Sequence, residues 1–245
     1  MGRLVIISYQ YYLALRREDG SGKMIEMPDF SQSFEYEKNF YLSCDITRIS
    51  KILAHYELYK KTVDLPGAFI ECGLFKGASF TLFATFRELM GGSSSRSLIG
   101  FDTFDRYPET LFVDDKSFRK SFIKIAGEQC ISRDQMIEAL NNKKIFQNIE
   151  LVEGDITETV PAYIHEHPEL KISLLNLDTD IYEPAVTILE QLYPRIVKYG
   201  ILIIDDYGVV PGETKAIDDF FKGRDITIRK FPFRMGPCYI IKEEL

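Results

Sequence analysis

From Ala68 onward, short apolar runs alternate with segments in which apolar residues recur every three or four positions. Short runs bounded by turn residues read as buried strands, and the wider spacing reads as amphipathic helix. Strands are predicted at Ala68 to Cys72, Ser97 to Phe101, Ile149 to Val152, Ile172 to Leu177 and Ile201 to Ile204. Helices are predicted at Gly77 to Leu89, Ser132 to Asn141, Pro161 to His167 and Pro184 to Val197, the last with its C-cap at Gly200. A further helix opens after Pro211-Gly212, and Ser132 with Gln135 has the spacing of a capping box. Upstream, Ile46, Ile49, Ile52, Leu53, Tyr56 and Tyr59 keep helical spacing until Pro66-Gly67 stops them. Ile226 to Phe231 and Cys238 to Ile241 read as a closing hairpin. Strand and helix in alternation mean a parallel sheet with crossover helices, and the hairpin adds an antiparallel edge.

Two regions break the pattern. Residues 1–45 hold no clean period and read as an N-terminal lid or dimer arm, or as a poorly ordered tail. Residues 105–130 form a charged, aromatic insertion, DRYPETLFVDDKSFRKSF within it, that suits a mobile active-site cover. The remainder, residues 46–245, reads as one domain, since 245 residues at 45% hydrophobic can bury a single sizeable core. Charge narrows the partners. With 37 Asp+Glu against 30 Lys+Arg, the net charge of −7 argues against nucleic acid, which demands a basic face. No run has the apolar length of a membrane span, and the first residues lack a secretory core, so a cytoplasmic protein is expected. Cys44, Cys72, Cys130 and Cys238 are scattered without a C-x-x-C pair, which points to reduced thiols rather than zinc or disulfides.

The chemistry concentrates at strand ends. Leu177-Asp178-Thr179-Asp180 and Ile204-Asp205-Asp206 are apolar strands that stop in paired carboxylates. Charges are costly in a core, and ligands of open α/β sheets bind at the carboxyl ends of the strands. Two acidic ends one helix apart would surround one point with oxygens, as hard divalent cations prefer. After the first strand, Glu71-Cys72-Gly73-Leu74-Phe75-Lys76-Gly77-Ala78-Ser79 is either a cofactor loop or a plain strand–helix turn. It lacks the middle glycine of G-x-G-x-x-G and the G-K-[ST] of a Walker loop, and Glu71 would repel a pyrophosphate while suiting an amino-bearing cofactor. Asp102 ends the second strand, where an acid can receive a ribose diol or cap a loop, and Phe104 could stack on an adenine. Asp155 could receive an exocyclic amine or cap a helix from Thr157. His165 and His167 read as solvated, His55 as a helix-face residue, and Lys116, Arg119, Lys120 and Lys124 as either a solvated face or a phosphate patch.

The segments PGAFIECGLFKGAS, LIGFDTF and LLNLDTDIYEPAVTILEQLYPRIVKYGILIIDDYGVVPGETKAIDDF resemble the TylF/MycF-type (macrocin-type) sugar O-methyltransferases, from about Pro66 to Phe220. The resemblance implies a Rossmann-like class I methyltransferase fold with a seven-stranded, mostly parallel sheet, using S-adenosylmethionine and magnesium. It further implies that Glu71 and the backbone at Gly73 and Gly77, with Ser79, hold the methionine end of the cofactor. Asp102 would take the ribose, Asp155 and Phe104 the adenine, and Asp178, Asp205 and Asp206 the magnesium, with Asp178 also the general base. Thr179 and Ala78 stand where the family commonly has glycine, and Asp105-Arg106-Tyr107-Pro108 where it has Glu-Gly-Leu-Pro. The implied acceptor is a sugar hydroxyl, on a nucleotide sugar, a glycosylated natural product or a polysaccharide precursor, and a homodimer is expected. A metal-dependent methyltransferase of catechol-like phenols fits the same residues. An NAD-dependent dehydrogenase would need three loop glycines and no preceding acid, and a non-catalytic relative would not need every acid intact.

Overall fold

Five parallel strands form the centre of the sheet: β1 (Ala68–Cys72), β2 (Leu98–Asp102), β3 (Ile149–Glu153), β4 (Ile172–Leu177) and β5 (Ile196–Ile204). The hairpin of β6 (Arg229–Lys230) and β7 (Cys238–Ile241) completes it antiparallel to β5, in the order β3-β2-β1-β4-β5-β7-β6. This computed structural model describes residues 25–234 and 236–243. β1 and β4 are buried at every position, as strands covered on both faces must be, and their near-continuous apolar sequences follow from that. The sheet is the expected seven-stranded α/β one. Chain order reverses between β1 and β4, and there the crevice for a ligand opens.

Helices cover both faces. α1 (Ser33–Ser43), α2 (Ile46–Lys60), α3 (Ala78–Met90), α4 (Asp115–Ala126) and α5 (Arg133–Asn142) come first in chain order, then α6 (Ile156–Glu166), α7 (Tyr182–Gln191) and α8 (Pro211–Phe221). One core gathers Ile70, Phe101, Val160, Ile188, Ile204 and Ile217 under α6, α7 and α8. The other packs Leu58, Phe80, Phe83 and Met136 onto Phe69 and Leu174, with the Phe69 and Phe83 rings 4.5 Å apart. Each such buried ring contributes about 1.5–3 kcal/mol. The capping box of α5 forms as its spacing predicts. Cys72, Cys130 and Cys238 are buried free thiols, and Cys44 is a partly covered one. Among the described residues no helix is long and apolar enough to cross a membrane.

Two helix boundaries differ from the sequence reading by a turn or more. α6 begins at Ile156 rather than Pro161, because the Asp155 carboxylate accepts the Thr157 N–H at 2.8 Å and sets the start despite the proline inside. α7 ends at Gln191 rather than Val197, since Tyr193-Pro194 disfavours a continuing helix and forms a 3-10 turn. Gly200 is therefore no C-cap. It lies inside β5, where a Cβ would stand 2.6 Å from Ile196 and 2.9 Å from the Val197 carbonyl.

Of the expected N-terminal arm, residues 1–24 lie outside the described residues. The rest forms α1, which buries no residue and holds Phe34, Tyr41 and Leu42 largely in solvent. The insertion 105–130 folds around α4 and is docked. Asp115, wholly buried, accepts the N–H groups of Tyr182 at 2.9 Å and Gly212 at 2.7 Å, so one carboxylate serves the first turns of both α7 and α8. Arg119 is spent on the Pro108 carbonyl at 2.7 Å and on Glu128, so it is not part of a free phosphate patch.

Candidate active site

The carboxyl ends of β1, β2, β4 and β5 open into one cavity of about 720 Å³, walled also by α2, α4 and the loop after β3. Its first wall is the glycine loop. Gly73 has φ +89°, and a Cβ there would lie 1.9 Å from the Asp178 carbonyl oxygen, so only glycine lets the loop pass the end of β4. Gly77 opens α3 at φ +76°. Glu71 is fully buried: one oxygen accepts the Ser79 hydroxyl, and Oε2 has no hydrogen-bond partner among the described residues. Burial pushes its carboxyl well above the ordinary range.

Asp102 braces this loop. Its Oδ2 accepts the N–H groups of Leu74 at 2.6 Å and Phe75 at 3.0 Å, and Oδ1 that of Phe104 at 2.8 Å. Burial raises its pKa against these three donors. Asp155 lines the same wall and caps α6 with one oxygen, so the capping role left open for it is real. Phe104 does not join them. Its backbone is left-handed at φ +52°, and its ring is 3% exposed in the core beside Leu74 and Ile131 rather than at the cavity. Phe118 and Phe122 of α4 line the cavity instead.

The second wall is acidic. Asp178, Asp205 and Asp206 each bring an oxygen within 4.8 Å of the others, as their strand ends predict. Asp180, with a left-handed backbone at φ +61°, accepts the Tyr107 hydroxyl at 2.9 Å and is also hydrogen-bonded to Asp206. Burial raises Asp178 well above its ordinary range, with repulsion from Asp205 adding to it. Burial pushes Asp206 up to about 9 and Asp180 up to about 6. Asp205 moves the other way: burial alone would raise it, but the Lys51 ammonium holds it well below the carboxylate range. Lys51 Nζ lies 2.6 Å from Asp205 Oδ2 and 3.6 Å from Asp178 Oδ2. His55, stacked on Phe83, points Nε2 at Asp205 Oδ1 from 3.9 Å, and burial pushes its pKa down. Behind the cluster, wholly buried Glu213 accepts the Asp206 N–H at 3.0 Å.

Lys51, His55, Tyr107 and Glu213 were not among the residues singled out for chemistry from the chain. One signal was present: Lys51 and His55 sit one turn apart on the face of α2 that also carries Leu58 and Tyr59 into the core. Nothing local marked Tyr107 or Glu213.

A model of the family described as macrocin-O-methyltransferase (TylF) matches residues 47–230. The chain belongs to that family. The matched stretch holds both walls of the cavity and Lys51, and leaves α1 outside. A Streptomyces olivaceus protein, 8-demethyl-8-(2,3-dimethoxy-alpha-L-rhamnosyl)-tetracenomycin-C 4'-O-methyltransferase, is 24% identical over 152 residues, 59% of this chain and 54% of its own. Demethyldecarbamoylnovobiocin O-methyltransferase of Streptomyces niveus is 23% identical over 171 residues, 66% of this chain. The chain thus spans 54% and 61% of the lengths of these two relatives. Among solved structures, the calicheamicin methyltransferase CalS11 superposes with a TM-score of 0.72 at 24% identity, over 92% of this chain and 99% of that one. A second structure of it, described as an apo TDP-rhamnose 3'-O-methyltransferase, gives 0.63 at 27% identity over 89% and 87%. The O-methyltransferase NovP gives 0.68 at 19% identity over 80% and 81%. The fold of this family member is therefore that of the class I methyltransferases.

Proposed function

We propose that this family member is an S-adenosylmethionine-dependent O-methyltransferase that uses magnesium and acts on a sugar hydroxyl, on a nucleotide sugar or a glycosylated natural product. The observation that carries the reading is the convergence of Asp178, Asp205 and Asp206 on one point of the cavity whose other wall is the glycine loop. The residues fit both groups. An all-carboxylate donor set suits a hard divalent cation, and Asp205 Oδ1 is buried with no hydrogen-bond partner among the described residues. The orphaned Glu71 Oε2 suits an amino group, which would draw the buried carboxyl into its charged form. When bound, the cofactor supplies an electrophilic methyl group, and the cation stabilises charge developing on the acceptor oxygen.

The chain's own residues do the rest. Ser79 orients Glu71 toward the methionine end. Gly73 and Gly77 let the backbone approach it, and Asp102 holds that backbone in shape while offering the remaining lone pairs of Oδ1 to a ribose hydroxyl. Asp155 keeps one oxygen for the cap and one for an exocyclic amine. Asp178, at the end of β4 beside the glycine loop, takes the proton from the acceptor hydroxyl. The segment 105–130 covers the site and excludes water, with Tyr107 bonded to Asp180 at its rim. Arg48 and Arg234 line the same cavity, which favours the diphosphate of a nucleotide sugar over a neutral catechol. The names of the tetracenomycin, novobiocin and calicheamicin relatives support a sugar-bearing acceptor. The apolar outer face of α1 supports the dimer arm, which light scattering on a Leu42→Glu variant would test by loss of the dimer.

The test is methyl transfer from labelled S-adenosylmethionine to a panel of nucleotide sugars, glycosides and catechols, with EDTA and with magnesium restored. Transfer to a sugar that EDTA abolishes and magnesium restores is expected. Full turnover in chelator sinks the metal assignment, and transfer to catechols alone sinks the sugar.

A further inference from the structure

Lys51 reaches the acidic cluster from α2, a helix outside the sheet. Its ammonium makes a 2.6 Å ion pair with Asp205 Oδ2 and stands 3.6 Å from Asp178 Oδ2, with only 23% of its side chain exposed. α2 is seated for this purpose from the far end of the sheet: Arg234 donates to the Thr47 carbonyl and, at 3.1 Å, to Ser50 Oγ, on the turn before Lys51. Three carboxyl groups within 4.8 Å cannot all ionise at low dielectric without a cation beside them, and among the described residues Lys51 brings an ammonium into hydrogen-bond distance of the cluster.

A divalent ion would draw on the same carboxylates. Magnesium sits about 2.1 Å from its ligands, so even held through Asp205 Oδ1 it would stand beside an ammonium 2.6 Å from Oδ2 of the same group, like charge against like. We propose that Lys51 is a tethered counter-cation that competes with the divalent ion for Asp205 and Asp178, and that metal loading swings its ammonium out of the cluster. This rests on the magnesium reading above. Lys51 is thus a positioning residue: it keeps the carboxylates gathered and sets how tightly the metal is held. Metal affinity is lowered by the strength of the internal pair, as any competing ligand lowers it.

Calorimetric titration of magnesium into the full chain, without cofactor or acceptor, tests this with Lys51→Met and Lys51→Arg. Lys51→Met keeps the apolar stem and removes the charge; it should bind magnesium about tenfold tighter or more, while Lys51→Arg stays within a few-fold of wild type. Its melting temperature in EDTA should fall, and rise with magnesium by more than wild type does. A measurement on the unaltered protein guards against misfolding: acylation of Lys51 by an amine reagent, read by mass spectrometry, should increase several-fold on adding magnesium. Equal or weaker magnesium binding by Lys51→Met, or acylation indifferent to magnesium, overturns the exchange while leaving the metal site standing. A wild-type protein that takes up no magnesium at all overturns both.

Discussion

The two walls of the cavity are built on opposite principles. The glycine-loop wall comes from adjacent segments and satisfies itself: Asp102 answers three backbone N–H groups, and Ser79 answers Glu71. The acidic wall is assembled from the ends of β4 and β5, α2, the insertion and α8, and it crowds carboxyl groups around the Lys51 ammonium. One wall is a preformed cradle whose polar groups are mostly paired. The other crowds carboxyl groups whose raised pKa values record burial and mutual repulsion, and an arriving cation would favour their charged forms. Gly73 joins them, since its missing side chain is what lets the cradle touch the Asp178 carbonyl.

This contrast can be broken at either wall. The largest effect is expected from Asp178→Asn, which should cut turnover by roughly 10³-fold. It should leave S-adenosylhomocysteine affinity near wild type, and matched losses in both would mean that the walls are not separate. Next is Gly73→Ala, which adds a Cβ 1.9 Å from a backbone oxygen at left-handed φ. Urea denaturation should show a loss of about 3 kcal/mol or more, and a variant as stable as wild type would mean that the loop does not pass β4 so closely. Asp102→Ala strands three N–H groups, and a loss of about 2 kcal/mol with weaker cofactor binding is expected. Without any loss of stability, Asp102 would not be the brace.

The smallest effect sharpens the comparison through pH. Burial raises the Glu71 pKa, so in the folded protein its carboxyl stays protonated over a pH range where the unfolded chain has already ionised. Its contribution to folding is full at low pH and is lost as pH rises through the folded value. An amino group bound there favours the carboxylate, so binding releases a proton and affinity climbs with pH below that value. S-adenosylhomocysteine affinity should tighten by up to about tenfold per pH unit, and calorimetry in buffers of different ionisation enthalpy should register the proton. Glu71→Gln should flatten the dependence; a slope unchanged in that variant would place the proton elsewhere.

Much of this was open to reading from the chain, and the failures have a common cause. Strands such as Ile172–Leu177 announced themselves because a strand buried on both faces is apolar throughout. The acids at 178, 205 and 206 stood out because charge at the end of such a strand must face a crevice. Phe104 misled because an aromatic beside an acidic strand end looks the same in sequence whether its ring points outward or inward, and a left-handed backbone turned it into the core. Asp115 was not singled out within the insertion, since its two partners, the N–H groups of Tyr182 and Gly212, lie far along the chain.

Periodicity and the cost of burying charge therefore determined, from sequence alone, the sheet, the cradle loop and the three converging aspartates, because each of those features is local or repeats along one element. Only the tertiary structure decided that Lys51 enters the acidic cluster, that Asp180 belongs to Tyr107, and that Asp102 braces the loop. Those outcomes depend on which distant side chain arrives within hydrogen-bond distance, and that distance is set by the packing of whole helices against the sheet rather than by any spacing along the chain.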